Sequence, residues 1–439
     1  MAYTDIVCRA INNKSVRPAY LVSTILLLLT SPVEATNGLS AIGFGTESLG
    51  MGGADLAVAR DTSALNTNPA GLIQIPGSRL DLDNTAVFAV NVRHRDNFGN
   101  DVGVKNSPIF LGTVGYARHL DNHPVVVGIG LFIQGGAGYE YPELNTAFGT
   151  RDELSSLFGI LKLSTGVAWR ASDALSLGAS VALTYARLDQ RVFPNTSVSN
   201  PDPTQSFFGF ELQDMEGFSR GYKLGAQYKL TDRMTLGVAY TGKTKLDLED
   251  GQLVSNFSAL GLDRVTYKDV KATGLNLAQE IGLGLAIRAT DKLLVSFEVN
   301  WLNWSDAVQR STLTARNPDN PAAPPTLSIT ASQDWRDQTV IAAGFAYMAS
   351  DKLILRGGYN YARDPIPDRN LNPVLATIGE HHLTLGMGYQ LGRFWRADGA
   401  IEYSFNSAVT YTNPALPFGP EATEEDEYVA FHVRLSRQW

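Results

Sequence analysis

The chain has 439 residues, of which 18% are charged, with a net charge of −8, 41 glycines and 17 tyrosines. A mean hydropathy of −0.08 is too low for a bundle of membrane helices, and the charge is too sparse for an ordinary soluble enzyme. The acidic balance, with no dominant basic patch, argues against nucleic acid as a partner. The single cysteine, Cys8, lies in a segment expected to be removed, which leaves no disulfide and no cysteine-based metal site.

In chain order, Arg9, Lys14 and Arg17 precede an apolar run from Ala19 to Leu29, and Val33 and Ala35 fit the −3 and −1 positions of a cleavage site. This pattern predicts a signal peptide over 1–35. The run is short for a membrane span, which needs about 20 residues. Residues 36–78 carry Gly43-Phe44-Gly45 and Gly50-Met51-Gly52-Gly53-Ala54, with no period-two pattern. Ala54 to Ala64 reads as a short helix, with Asp61 capping a further turn. No Lys-Ser or Lys-Thr follows these glycines and no strand precedes them, so they are not a phosphate loop.

From Arg79 to the C-terminus the period is two. Ile281, Leu283, Leu285 and Ile287 alternate with Gly282, Gly284, Ala286 and Arg288. Leu383, Leu385, Met387, Tyr389 and Leu391 alternate with His382, Thr384, Gly386 and Gly388. Alternate residues of a strand face opposite sides. One face is apolar and the other small or polar, which suits a wall between lipid and water. Short turns at 119–123, 171–173, 231–233, 289–291, 349–351 and 392–393 separate longer loops at about 93–107, 134–158, 189–218, 246–278, 304–337, 362–381 and 407–427. Short turns at one end and long loops at the other describe an outer-membrane barrel of about 14 strands. The expected fold is therefore all-β: a 14-stranded antiparallel transmembrane β-barrel over 79–439. Such a lumen is too wide for its own side chains to fill, and 36–78 is too small to fold alone. Residues 36–78 are therefore expected as a small, mostly helical plug, or hatch, inside the barrel.

Trp169, Tyr185, Tyr240, Trp301, Trp304, Tyr347, Tyr361 and Tyr403 fall toward strand ends, where barrels carry aromatic girdles. Val429, Phe431, Val433 and Leu435 share the parity of the terminal Trp439. A terminal aromatic on an alternating strand looks like the assembly signal that barrel-assembly machinery reads. His381–His382 and the pair His119/His123 come with no serine motif and no strong metal spacing. No catalytic group, metal site or cofactor is expected, and the chain is read as a non-enzyme.

The sequence resembles the FadL-type family of outer-membrane transporters for long-chain fatty acids and hydrocarbons. The resemblance rests on Gly50-Met51-Gly52-Gly53-Ala54, Asp61-Thr62-Ser63-Ala64 and Asn68-Pro69-Ala70-Gly71-Leu72 in the N-terminal segment. It continues through Thr231 to Tyr240 with Lys243 to Leu248, Val299 to Ser305, and Arg356-Gly357-Gly358-Tyr359 with Gly379 to His382 and Gly386 to Tyr389. These matches span nearly the whole mature chain in family order.

The resemblance implies passive uptake of hydrophobic small molecules, long-chain fatty acids first, with aromatic or alkane hydrocarbons as the alternative. It implies a hatch gated around Asn68, Pro69 and Ala70. It also implies a kinked third strand that lets substrate leave sideways into the membrane. That strand is expected over Pro124 to Gln134, followed by Gly135, Gly136 and Gly138, which either kink it or open a flexible loop. Phe207, Phe208, Phe210, Leu253, Phe257, Leu260 and Leu262 are apolar for exposed loops. They either form a first docking groove or pack loop on loop. Arg170, Arg187, Lys223, Lys229, Arg288 and Arg356 fall on the polar face, and Glu298, Asp398 and Glu402 can pair with them. A head-group contact among these stays open. The rival readings are a general aqueous porin, an outer-membrane enzyme and a surface adhesin. The expected surroundings are outer-membrane lipid and lipopolysaccharide, and the expected state is a monomer.

Overall fold

The structure, a computed structural model, describes residues 37–105, 107–202, 205–414, 416–419 and 421–439. The signal peptide expected over 1–35 lies outside the described residues.

Fourteen strands form one closed antiparallel barrel. They are β1 (Ser78–Ala89), β2 (Ile109–His119), β3 (Val125–Asn145), β4 (Arg151–Arg170), β5 (Leu175–Val198), β6 (Phe207–Thr231) and β7 (Met234–Thr241). The second half is β8 (Glu280–Arg288), β9 (Leu293–Leu302), β10 (Gln338–Met348), β11 (Leu353–Ala362), β12 (His381–Gln390), β13 (Trp395–Tyr411) and β14 (Ala422–Gln438). Closure is made by β14 on β1, in register from Arg79↔Gln438 to Ala89↔Tyr428. A closed sheet leaves no edge, which is what hydrocarbon demands of a β-structure.

The alternation sorts as the sequence predicts. Leu82, Leu283, Phe297, Ile341, Leu385, Phe431 and Val433 are exposed on the outer face. Asp81, Ser296, Glu298, Thr384, Glu402 and Arg434 are buried on the inner one. Trp169, Tyr347, Tyr389 and Trp439 point outward near the short-turn end. Trp304 does not join such a girdle. It is fully buried on the short helix Trp304–Ala307, where its ring meets Trp335 at 5.4 Å and its Nε1 donates to Gln338 Oε1 at 3.2 Å.

The long-loop end differs from the sequence reading. The loops expected at 134–158 and 189–218 shrink to 146–150 and 199–206, because β3 through β6 run on past the apolar band. Residues Ile133 to Tyr139 are buried on both faces, so no period of two marks them as a strand. The connections at 246–278 and 304–337 fold into strands of their own. Gln252–Asn256 pairs with β6 and with Arg264–Thr273, which in turn pairs with Arg310–Pro318 of a second hairpin completed by Thr326–Ser332.

Residues 37–77 lie against the inner wall and are almost wholly buried. The helix expected over Ala54 to Ala64 is absent. The short helix is Thr46–Leu49, followed by 3-10 turns at Thr62–Leu65 and Pro69–Gln74. The reason is tertiary. The Asp55 and Leu56 N–H groups donate to Glu298 Oε2 of β9, both at 2.9 Å, and Asp61 then caps a new turn by accepting from Ser63 N at 2.8 Å.

Candidate functional site: a plugged lumen with a break in its wall

The N-terminal segment is held on several sides of the wall at once. Asn68 is fully buried; its Nδ2 donates to Leu56 O at 2.7 Å and to Ala226 O of β6 at 3.1 Å. Its Oδ1 accepts from Ala70 N at 3.2 Å, and Pro69 supplies the first residue of the turn. Such a cap satisfies an otherwise orphaned N–H and sets the entry angle of the chain. Wall glycines allow the approach: a Cβ on Gly178 would overlap Pro69 and Ala70, and one on Gly237 would overlap Leu56. Charges fix the other side. Arg434 of β14 bonds Asp61 and, at 2.7 Å, Asp83 of β1. Arg356 of β11 reaches Glu47 at 3.2 Å and Asp398 of β13 at 3.0 Å. Removing one partner of such a buried pair leaves an uncompensated charge and is costly.

The wall itself is interrupted. β2 and β3 pair only from His119↔Val126 to Val114↔Leu131. Beyond that point Ile109–Thr113 still pair with β1, while β3 leaves β2 and stays with β4. The β3–β4 register shifts between Ile133 and Gly135, and Gly135 and Gly136 adopt φ of 152° and 147°. L-residues seldom reach such angles, and a Cβ on Gly136 would run into the Phe158 carbonyl. Gly138 is different. It pairs in register with Leu157 and has no positive φ. The sequence reading ended the third strand too early; β3 continues through the glycines to Asn145.

A small cavity, about 80 Å³, opens between this break and the N-terminal segment. Ile42, Leu49, Val87, Leu111 and Ile133 give it an apolar lining, and Thr85, Glu402, Tyr428 and His432 close its polar end.

Six of the seven predicted docking residues gather in one apolar cluster at the long-loop end. Phe207, Phe208 and Phe210 open β6 rather than lying in a loop. Leu253 and Phe257 are buried, and Phe208 meets Phe257 edge-on at 5.1 Å. Leu262 packs against the same cluster, which continues inward to Leu39, Trp304 and Trp335. Leu260 stays outside it, at 47% exposure on the 3-10 turn Ser258–Leu260.

The predicted polar-face cations divide. Arg187 pairs with Asp189 at 2.7 Å, and Arg356 with Asp398. Lys223 lies 3.8 Å from Glu280. Arg170, Lys229 and Arg288 sit exposed at the short-turn end. Sequence reasoning missed Lys162 of β4. Its side chain is buried inside the barrel, and among the described residues it has no ion-pair partner. Parity along Leu161, Lys162 and Leu163 carried the signal.

A second buried group lies beyond the membrane-spanning strands. His94, on the short strand Arg93–Asp96, contacts Glu424 Oε1 at 2.5 Å and Asp96 Oδ2 at 3.1 Å. Burial pulls the imidazole down, but the charge of Glu424 and the bond to Asp96 outweigh it and hold it at about 9.

A closed barrel with an apolar outer band, an N-terminal segment against its inner wall and an interrupted seam defines a class: the transmembrane β-barrels of outer membranes. Comparison with known proteins makes this specific. Residues 28–434 match the family model for outer membrane protein transport proteins (OMPP1/FadL/TodX), and the chain belongs to that family. An outer membrane protein of Neisseria meningitidis serogroup B is 22% identical over 434 residues, covering 90% of this chain and 92% of the relative. The toluene transporter TodX of Pseudomonas putida superposes with a TM-score of 0.75 at 21% identity, over 91% of this chain and 99% of its own. The toluene transporter TbuX of Ralstonia pickettii gives 0.71 at 21%, over 91% and 99%. A FadL homologue of Pseudomonas aeruginosa gives 0.69 at 18%, again over 91% and 99%. At these identities the structures speak for the fold. The family places the protein in the outer membrane, as a transporter of hydrophobic compounds.

Proposed function

We propose that the protein takes up long-chain fatty acids by gated passive diffusion. The observation that carries this reading is the apolar cavity lying between the N-terminal segment and the interrupted β2–β3 seam. In it a substrate that has crossed the loops is already beside lipid. Residues 36–78 act as the hatch, gated around Asn68, Pro69 and Ala70. Gly135 and Gly136 hold the wall open for sideways release, with Gly138 continuing the displaced strand. The cluster of Phe207, Phe208, Phe210, Leu253, Phe257 and Leu262 is the first docking surface, with Leu260 at its rim.

Partition drives the process. Each buried CH₂ contributes about 0.8 kcal/mol, so a long acyl chain is drawn from water into any dry apolar track. Several modest sites in series let it leave again. Lys162 favours a fatty acid over a bare hydrocarbon, because a buried amine without an ion-pair partner is a ready hydrogen-bond contact for a fatty-acid head. The toluene specificity in the names of two neighbours supports the alternative, an aromatic hydrocarbon.

Uptake of a fluorescent long-chain fatty acid into vesicles bearing the purified barrel, with toluene as competitor, tests this. Saturable uptake that falls in an Asn68→Ala, Pro69→Ala variant supports the reading. Uptake no faster than in empty vesicles, with small sugars passing freely, replaces it with a porin.

A further inference from the structure

The polar end of the cavity is more than a place where the lining happens to stop. Glu402 of β13 is buried and flanked by two imidazoles. Its Oε1 accepts from Tyr428 OH at 2.8 Å and lies 3.2 Å from His382 Nδ1. Its Oε2 faces His432 Nε2 at 3.3 Å, a pair out of line for a hydrogen bond, so Nε2 is left without one. His432 is 4% exposed and its Nδ1 is engaged by Thr85 Oγ1 at 2.8 Å. In the tautomer in which Thr85 donates to Nδ1, Nε2 carries the ring proton. The other charged residue of the lining, Asp83, is already bonded by Arg434 and by Thr46 N at 3.0 Å. The cavity thus presents one carboxylate oxygen that accepts and one imidazole N–H that donates, side by side, at the end of an apolar chamber.

We infer that this chamber is a binding site for the uncharged head of a long apolar molecule, a hydroxyl or a protonated carboxyl group. Such a head donates to Glu402 Oε2 and accepts from His432 Nε2–H, while its chain lies along Leu111 and Ile133 toward the β2–β3 seam. An ionised carboxylate meets the like charge of Glu402 in a poorly screened interior. A bare alkane fills the chamber but offers neither polar group a hydrogen bond. The site selects for neutrality at the step where charge is most costly, the release of the head into hydrocarbon. The inference rests on the proposed uptake of fatty acids and adds that they leave the barrel as neutral acids.

The test measures binding of radiolabelled 1-dodecanol to the whole barrel in nanodiscs, with empty nanodiscs subtracted. Competitors are dodecane, ionised dodecanoate at alkaline pH and dodecanoic acid at acidic pH. Expected is displacement about tenfold stronger by unlabelled dodecanol than by dodecane. Dodecanoic acid competes, and ionised dodecanoate does not. In a Glu402→Gln variant dodecanoate gains competition relative to dodecanol, because the like charge is gone. Equal displacement by dodecane and dodecanol, or equal competition by the two forms of the acid, overturns the assignment. The wild-type competition series is decisive by itself, even where the variant does not fold. Vesicle uptake run in parallel separates the two claims. Uptake without discrimination removes only the chamber's role. Discrimination without uptake supports the chamber and removes the transport reading.

Discussion

Replacing Asn68 by alanine takes three hydrogen bonds from a side chain with no exposed surface. Loss of the cap on Ala70 N costs about 1 kcal/mol. Each of the two amide bonds to carbonyls contributes about 1 kcal/mol more. Leu56 O keeps a second donor, Gln227 Nε2 at 3.0 Å, so no larger penalty arises there. The sum, about 3 kcal/mol, corresponds to an opening equilibrium raised about a hundredfold. The barrel wall does not depend on these bonds, so its thermal unfolding should stay within a few degrees of wild type. Amide exchange by mass spectrometry over 62–75 should quicken by about two orders of magnitude, with β9 to β12 unchanged. Ion conductance in planar bilayers should show openings that the parent lacks. Exchange over 62–75 equal to wild type would refute the reasoning: the segment would then be held by Arg434 and Glu298, and Asn68 would be only a turn former.

Other perturbations probe the seam, the loops and the buried histidine. Gly136→Ala sets a Cβ against the Phe158 carbonyl at a φ that alanine resists. Folded yield should drop, and the surviving barrel should lose release into the vesicle membrane while still binding substrate, as read by fluorescence transfer to a lipid-phase quencher. Phe257→Ala removes a buried ring from the loop cluster, at a local cost of about 3 kcal/mol. The substrate concentration for half-maximal uptake should rise several-fold with the saturated rate nearly kept; an unchanged concentration would remove docking from that cluster. His94 should make the long-loop end sensitive to pH. Its raised value means that its stabilisation is complete below its ordinary 6.5 and is lost as pH rises through about 9. Proteolysis within 91–104 should therefore accelerate toward pH 9, and His94→Phe should flatten the profile.

Much of the architecture was legible because a transmembrane strand writes its two environments into alternate residues. Ile281 to Arg288 and Leu383 to Leu391 carry that alternation in full, and their outward and inward faces fall as read. The asymmetry of turns and loops, with turns such as Thr290 to Lys292 at one end, gave the strand number. Where both faces are buried, the signal vanishes. β3 beyond Ile133 read as a loop for that reason, whereas the hairpins at 252–273 and 310–332 lie in the long connections away from the spanning strands.

Sequence alone determined the class of fold, the period-two wall, the cap at Asp61 and the place of the glycines in the third strand's region. Each of these is a local property of backbone or hydropathy. Only the tertiary structure decided which lumen charges are satisfied and which are free. Lys162 and Lys223 look alike in sequence, yet of the two only Lys223 has a carboxylate within 4 Å among the described residues. Glu402, His382, His432 and Thr85 lie on four strands, β13, β12, β14 and β1, and become one site because β14 closes back onto β1. Closure joins the two ends of the sheet, and no spacing along the chain records it.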